Sequence, residues 1–324
     1  MSIKKATLVA RSTALICLFF LAACGESQQT VQSNQEEDRR PVVALIMKSL
    51  ANEFFVTMAD GARDHQILHD GDYQLIVNGI KNEIDLSQQV ALIDQMIASG
   101  VDAIVIAPAD SKAVVPALAR ASAAGIVIVN VDNRLDNGIL DEYDLKAPFV
   151  GPDNFRGAEA VGQYLASQLS EGQEVAILEG VPTAYNSQRR TAGFNKAMGD
   201  SGLIVVSQQS AQWDQTRAVV TASAILVQHP DLVAILCAND NMALGAVAAV
   251  MQAGKSEQIK IIGFDNISAV RNLIKEKSIL ATVDQHADLL AVYGIEYALA
   301  ALSSDAELVD KATPVDLVTI DSID

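Results

Sequence analysis

Residues 86–133, LSQQVALIDQMIASGVDAIVIAPADSKAVVPALARASAAGIVIVNVDN, decide the fold of this chain. Leu86, Val90, Ile93 and Ile97 recur at i, i+4, i+7 and i+11, which is one face of a helix. Gly100 stops that helix. The run at 101–107 that follows is almost continuously apolar and rich in Val and Ile, as a strand buried on both faces must be. A second helix-period segment fills 113–124, Gly125 ends it, and a second apolar run occupies 126–131. Asp132 and Asn133 come directly after that run.

The same alternation extends in both directions. Short apolar runs lie at 42–47, 73–77, 101–107, 126–131, 175–178, 203–206, 232–238, 259–264 and 279–283, with helix-period segments between them. Strand then helix throughout predicts an α/β chain with parallel sheets and right-handed crossovers. Nine strands in one doubly wound sheet would be unusual, and two smaller sheets fit the length better. The stretch 134–148, with Asn137-Gly138 read as a turn and Asp136, Asp141, Glu142 and Asp144 around it, interrupts the rhythm. A crossing between domains is expected soon after it.

The N-terminus carries a different signal. Lys4, Lys5 and Arg11 precede an apolar run at 14–21, and Leu21-Ala22-Ala23-Cys24 closes it. A basic segment, a short apolar segment and small residues before a cut are the layout of a secretory leader. The run is too short to span ~30 Å of hydrocarbon. With a cysteine at the cut, the segment resembles a bacterial lipoprotein signal, which implies cleavage after residue 23 and a lipid on Cys24. Residues 25–40, GESQQTVQSNQEEDRR, hold one apolar residue, Val31, so 24–41 reads as a solvated lipidated tether. The expectation is an exported protein, lipid-anchored at the periplasmic face or cell surface of the envelope.

Charge narrows the partners. Removing 1–23 takes out Lys4, Lys5 and Arg11 and no acidic residue, so the formal charge goes from −17 to −20. A nucleic acid is not expected as a partner, and membrane contact would come only through the acyl chains. Half the residues are hydrophobic, enough for a large core. Of three cysteines, Cys17 leaves with the leader and Cys24 carries the lipid, which leaves Cys237 as a buried thiol with neither disulfide nor metal cluster. His65 and His69 are spaced i, i+4 but lack a third ligand and read as surface-helix residues; His229 and His286 add no metal site.

In open α/β sheets, ligands bind beyond the carboxyl ends of the strands. Lys48, Asp132, Asn133, Asn239, Asp240, Asp265 and Gln285 sit at or just past such ends. Asp, Asn and Gln are bidentate groups suited to vicinal hydroxyls, but they are also helix caps and turn formers. Only 15 aromatic residues are present; Phe54 and Phe55 lie just beyond Lys48, and Trp213 is the single tryptophan. Flat apolar faces beside hydrogen-bonding groups suit a sugar ring. An enzyme is disfavoured, since no Gly-x-Gly-x-x-Gly after a strand, Gly-x-Ser-x-Gly or Gly-x-x-x-x-Gly-Lys occurs. A transcriptional regulator would need a helix-turn-helix where the leader stands.

KSLANEFF (48–55), ANDNMALG (238–245), IIGFDN (261–266) and ATVDQ (281–285) carry a resemblance. Over nearly all of 42–324 the chain resembles the periplasmic sugar-binding proteins of the ribose/allose type, substrate-binding subunits of ABC transporters. The resemblance implies two Rossmann-like, doubly wound lobes with parallel sheets and a three-segment hinge (periplasmic binding protein type I). The lobes would be 42–151 with 286–314, and 152–285 with 315–324. The ligand set it implies is Lys48, Asn52, Phe54, Phe55, Asp132, Asn133, Arg190, Trp213, Asn239, Asp265 and Gln285, with no cofactor and no metal. Implied partners are a monosaccharide or polyol, the permease subunits and, in an alternative role, a chemoreceptor or sensor kinase; a monomer is expected. The chain departs from the family pattern in carrying Lys48 where ribose binders have a small hydroxyl residue, Glu53 for proline, Asn133 for arginine, and a longer 134–148 loop. These departures point away from ribose itself, toward another monosaccharide or a polyol.

Overall fold

The computed structural model describes residues 39–304 and 309–323. The leader expected at 1–23 and Cys24 lie outside the described residues, as does most of the segment expected to be a tether. From residue 42 the chain alternates β1 (Val42–Ser49), α1 (Glu53–Leu68), β2 (Gln74–Ile80), α2 (Leu86–Ser99), β3 (Ala103–Ile106), α3 (Val115–Ala123), β4 (Val127–Val131), α4 (Asn137–Glu142) and β5 (Phe149–Pro152). It continues with α5 (Asn154–Ala166), β6 (Glu174–Glu179), α6 (Tyr185–Asp200), β7 (Ile204–Ser210), α7 (Gln215–Gln228), β8 (Leu232–Cys237) and α8 (Asp240–Gln252). Last come β9 (Lys260–Ile262), α9 (Ser268–Lys275), β10 (Ala281–Asp284), α10 (Ala287–Ser303), β11 (Lys311–Thr313) and β12 (Asp316–Thr319).

Two six-stranded sheets result, ordered β11-β5-β4-β3-β1-β2 and β12-β10-β9-β8-β6-β7. Every pairing is parallel except β10 with β12. The near-continuous apolar runs have a simple cause. Along β1, Val43, Leu45 and Met47 face one hydrophobic cluster and Ala44 and Ile46 face another, so both faces are dry. Ile93 of α2 and Leu118 of α3 cover the second face. Gly100 closes α2 in the left-handed conformation, with φ 63°.

All nine apolar runs overlap a strand. The runs do not mark β5, β11 and β12. Both β11 and β12 are sheet edges, partly solvated, and so lack a continuous apolar stretch. The turn expected at Asn137-Gly138 is instead the first turn of α4, because the Asp136 side chain accepts from Ile139 N and caps it. His65 is not a surface residue: it is buried, with Nδ1 2.9 Å from the Tyr73 hydroxyl.

Over the described residues the chain passes between the sheets three times. β5 belongs to the first sheet, yet α5 packs against β9, β10 and β12 of the second. β10 belongs to the second, yet α10 packs on α1 and on β3 and β4. β11 and β12 are adjacent in sequence and lie in different sheets. His286 in the second crossing reaches Asp316 beyond the third, Nε2 to Oδ2 2.7 Å, and so ties two crossing segments together.

Candidate functional site

The first lobe brings its polar groups together at the ends of β1 and β4. Lys48 emerges near the end of β1 and its Nζ lies 2.9 Å from Asp132 Oδ2, both side chains almost wholly buried. Asp132 follows β4 with φ 60°, a conformation that costs a non-glycine residue about 1–3 kcal/mol and concentrates at functional sites. Asn52 caps α1, its Oδ1 accepting from Phe54 N at 3.1 Å, while its Nδ2 donates to Glu83 Oε1 at 3.2 Å. Phe54 and Phe55 open α1 edge to face, ring centroids 5.0 Å apart, and Lys48 Nζ stands 5.3 Å from the Phe55 centroid.

The second lobe is organised around Arg190 on α6. Its Nε donates to Asn154 Oδ1 (2.7 Å), and its Nη1 to Ala238 O (2.8 Å) and Asp265 Oδ1 (3.4 Å). Its guanidinium lies 3.7 Å from the Phe264 centroid and 5.6 Å from that of Trp213. Burial pulls the Arg190 pKa down, opposed by Asp265, Asp132 and Asp240. Burial likewise pushes Asp265 well above the usual carboxylate range, opposed by Arg190. Gln285 donates to Asp265 Oδ1 at 2.6 Å. Trp213 has φ 65°, and its indole lies on the backbone at Gly180, where a β-carbon would fall 2.1 Å from Cζ2. Asn239 caps α8 by accepting from Met242 N at 3.0 Å. Capping and lining are thus compatible roles for Asn52 and Asn239.

Nine of the eleven expected residues line one cavity between the lobes: Lys48, Asn52, Phe54, Phe55, Asp132, Arg190, Trp213, Asn239 and Asp265. Its cavity volume is about 20 Å³, room for about one water, so the lobes stand closed on their own side chains and must part to admit a sugar ring. Gln285 stands behind it, against Asp265. Asn133 also does not line it; that side chain donates to Pro108 O and accepts from Asn186 N at 3.1 Å. Two further residues, Glu83 and Asn186, do line it. The apolar run at 73–77 is shorter than β2, which continues through Asn78, Gly79 and Ile80, so residues past the run are not those past the strand. Asn186 belongs to a helix start, which strand ends do not reveal. Asp240 turns away from the cavity, accepting from Thr282 Oγ1 (2.7 Å) and Ile267 N (2.9 Å). Among the described residues no group of His, Cys, Asp or Glu is placed to hold a metal ion.

Asn133 exposes a second feature of the cleft. Neither α6 nor α9 is capped by its own N-cap residue, Ala184 or Ile267. The other lobe supplies the acceptors: Asn133 Oδ1 to Asn186 N, Ser111 Oγ to Tyr185 N (2.9 Å) and Glu53 Oε1 to Ser268 N (2.7 Å). Glu53 and Asn133 therefore join the lobes directly.

The family described as periplasmic binding protein domain matches residues 43–306. The chain is 49% identical over 312 residues to a D-ribose/D-allose-binding protein of Pseudomonas aeruginosa, covering 95% of this chain and 98% of that one. It is similar to the crystal structure of an ABC transporter solute-binding protein from Burkholderia multivorans, which holds an unknown ligand represented as α-D-erythrofuranose: TM-score 0.85, 52% identity, 87% of this chain and 100% of that chain. It is also similar to an ABC transporter periplasmic solute-binding protein from Actinobacillus succinogenes with bound D-allose: TM-score 0.82, 35% identity, 87% of this chain and 99% of that chain.

Three outcomes follow from this geometry. Gly180→Ala displaces the Trp213 indole from the backbone beneath it, so the fluorescence maximum moves to the red; an unchanged spectrum counts against the contact. Asn133→Ala and Glu53→Ala each remove a cap worth about 1 kcal/mol, so amide exchange speeds up about fivefold, at Asn186 in the first variant and Ser268 in the second. Burial raises Asp240 to about 7. Between its unfolded value and 7 the native state then binds the extra proton, so stability falls as pH rises through that window. Asp240→Asn makes this slope shallower, measured by denaturant unfolding at pH 4.5 and 7.5.

Proposed function

The chain belongs to the periplasmic binding protein domain family, and from that premise we propose that it is the sugar-binding component of an ABC importer. It takes a monosaccharide of the ribose/allose class, or a polyol, between its two lobes and delivers it to the permease. The single observation behind this reading is a small cavity whose two walls belong to different lobes. Each wall carries a buried ion pair beside an aromatic face. Hydroxyl edges match the charged and amide groups, and C–H faces match Phe54, Phe55 and Trp213. Lobe limits of 42–151 with 286–314, and 152–285 with 315–324, place the hinge at the three crossings. The ligand set is the nine expected residues that line the cavity, with Gln285 acting through Asp265 and Asn133 joining the lobes.

Charges taken out of water are costly unless every hydrogen bond is completed. A bound sugar completes those of Lys48, Asp132, Arg190 and Asp265, which favours the closed arrangement. Nothing in this scheme transforms the ligand, so the role is binding and release without turnover. Export and attachment through a lipid on Cys24, read from the Leu21-Ala22-Ala23-Cys24 segment, would keep the protein at the envelope beside its permease.

Trp213 is the only tryptophan, so its emission reports the cavity without a label. Titration of the lipid-free protein with D-allose, D-ribose and myo-inositol is expected to give a saturable shift at micromolar concentration for at least one. No response to any sugar or polyol, confirmed by calorimetry, would overturn the sugar reading.

A further inference from the structure

Among the described residues, Glu83 is the one carboxyl group of the cavity wall with no cation of its own. Lys48 is paired with Asp132, and Arg190 with Asp265, each within its own lobe. Glu83 projects from the turn between β2 and α2 and is 8% exposed. Its Oε1 is held by Asn52 Nδ2, and Asn52 is itself fixed as the cap of α1. Its Oε2 is buried with no hydrogen-bond partner among the described residues. One oxygen is therefore positioned and the other is open.

Its placement gives that open oxygen a direction. Glu83, Asn52 and Trp213 line the cavity and also a wider outer groove, so they form the boundary between the two. The Trp213 Nε1 donor is likewise buried with no partner. We propose that Glu83 contacts the bound sugar directly and sets which hydroxyl pattern is accepted at the mouth of the cavity. This deepens the sugar-binding reading above and rests on it.

The electrostatic surroundings say in which form Glu83 acts. Lys48 and Asp132 face it from the first lobe, with Arg190 and Asp265 across the cavity and Asp240 behind them. Lys81, Asp85, Asp214 and Arg217 lie toward the outer groove. Desolvation raises Glu83 to about 7, and Asp132 adds to the rise, while Lys48 and the Asn52 hydrogen bond oppose it. A carboxyl group protonated in the closed cavity both donates and accepts, whereas the ionised group only accepts. In an open, hydrated cleft Glu83 returns toward its ordinary value, so closing on a sugar takes up a proton below pH 7. Affinity then falls as pH rises toward 7 and levels off above it. Gln is the neutral isostere: its amide can offer the oxygen to Asn52 and an N–H to the ligand.

The test is calorimetric titration of D-allose and D-ribose, two sugars differing by one hydroxymethyl group, into the wild type, Glu83→Gln and Glu83→Ala at pH 5.5 and 7.5. The wild type is expected to lose about tenfold in affinity between the two pH values and Glu83→Gln less than threefold. Glu83→Ala is expected to weaken binding at least tenfold for the preferred sugar and to change the ratio of the two affinities at least fivefold. If Glu83→Ala weakens both sugars by one common factor, or neither, Glu83 only supports Asn52 and the inference fails. It fails equally if Glu83→Gln keeps the wild-type pH dependence. If the wild type itself binds neither these sugars nor myo-inositol, the sugar reading falls and this inference with it.

Discussion

Two ion pairs are buried where the lobes face one another, Lys48 with Asp132 and Arg190 with Asp265, and the rest of the site is arranged around the cost of keeping them there. A buried pair stripped of one partner loses about 3–5 kcal/mol. Each pair is accordingly surrounded by groups that fix it. Phe55 and Trp213 present ring faces to the Lys48 ammonium, and Asn154, the Ala238 carbonyl and the Phe264 ring hold the Arg190 guanidinium. Parallel strands make this possible, because in both sheets the carboxyl ends point to the cleft and their loops meet there.

The same constraint accounts for part of the backbone strain, since Asp144, Lys277 and His286 have positive φ away from the cavity wall. Asp132, Trp213 and Asp265 all have positive φ, as do Gln212 and Asn266 beside them. Turning the chain sharply at a strand end aims a side chain into the cavity that an extended backbone would send along the sheet. The strain is tolerated because hydrogen bonds and packing over-determine each residue. For Trp213 the determinant is the bare backbone at Gly180; for Asp265 it is Arg190 with Gln285.

Closure has a component that needs no ligand. The N-termini of α6 and α9 carry free N–H groups and the positive end of the helix dipole, and acceptors on the other lobe satisfy them. Glu53 and Asn133 supply two of the three acceptors. Asn133, expected to touch the ligand, serves here as a contact between the lobes. Among the described residues the cations of the cavity wall are Lys48 and Arg190, and Glu83 is its carboxyl group outside the two ion pairs.

The sequence by itself determined the nine apolar runs, the alternation with helices and the polar residues at strand ends, because two-sided burial and helical periodicity are local patterns. Lys48, Asp132, Asn239 and Asp265 were legible for that reason. The tertiary structure alone decided which partner each polar group takes. Asn133 and Glu53 reach groups 53 and 215 residues away, Asp240 turns behind the cavity toward Thr282, and Glu83 enters it from a turn that no apolar run announces. The edge strands β11 and β12 were hidden for the converse reason, since an edge exposed to water leaves little apolar pattern. Periodicity records which face of an element is dry; it carries no information about the element that will cover it, and in this protein that pairing makes the site.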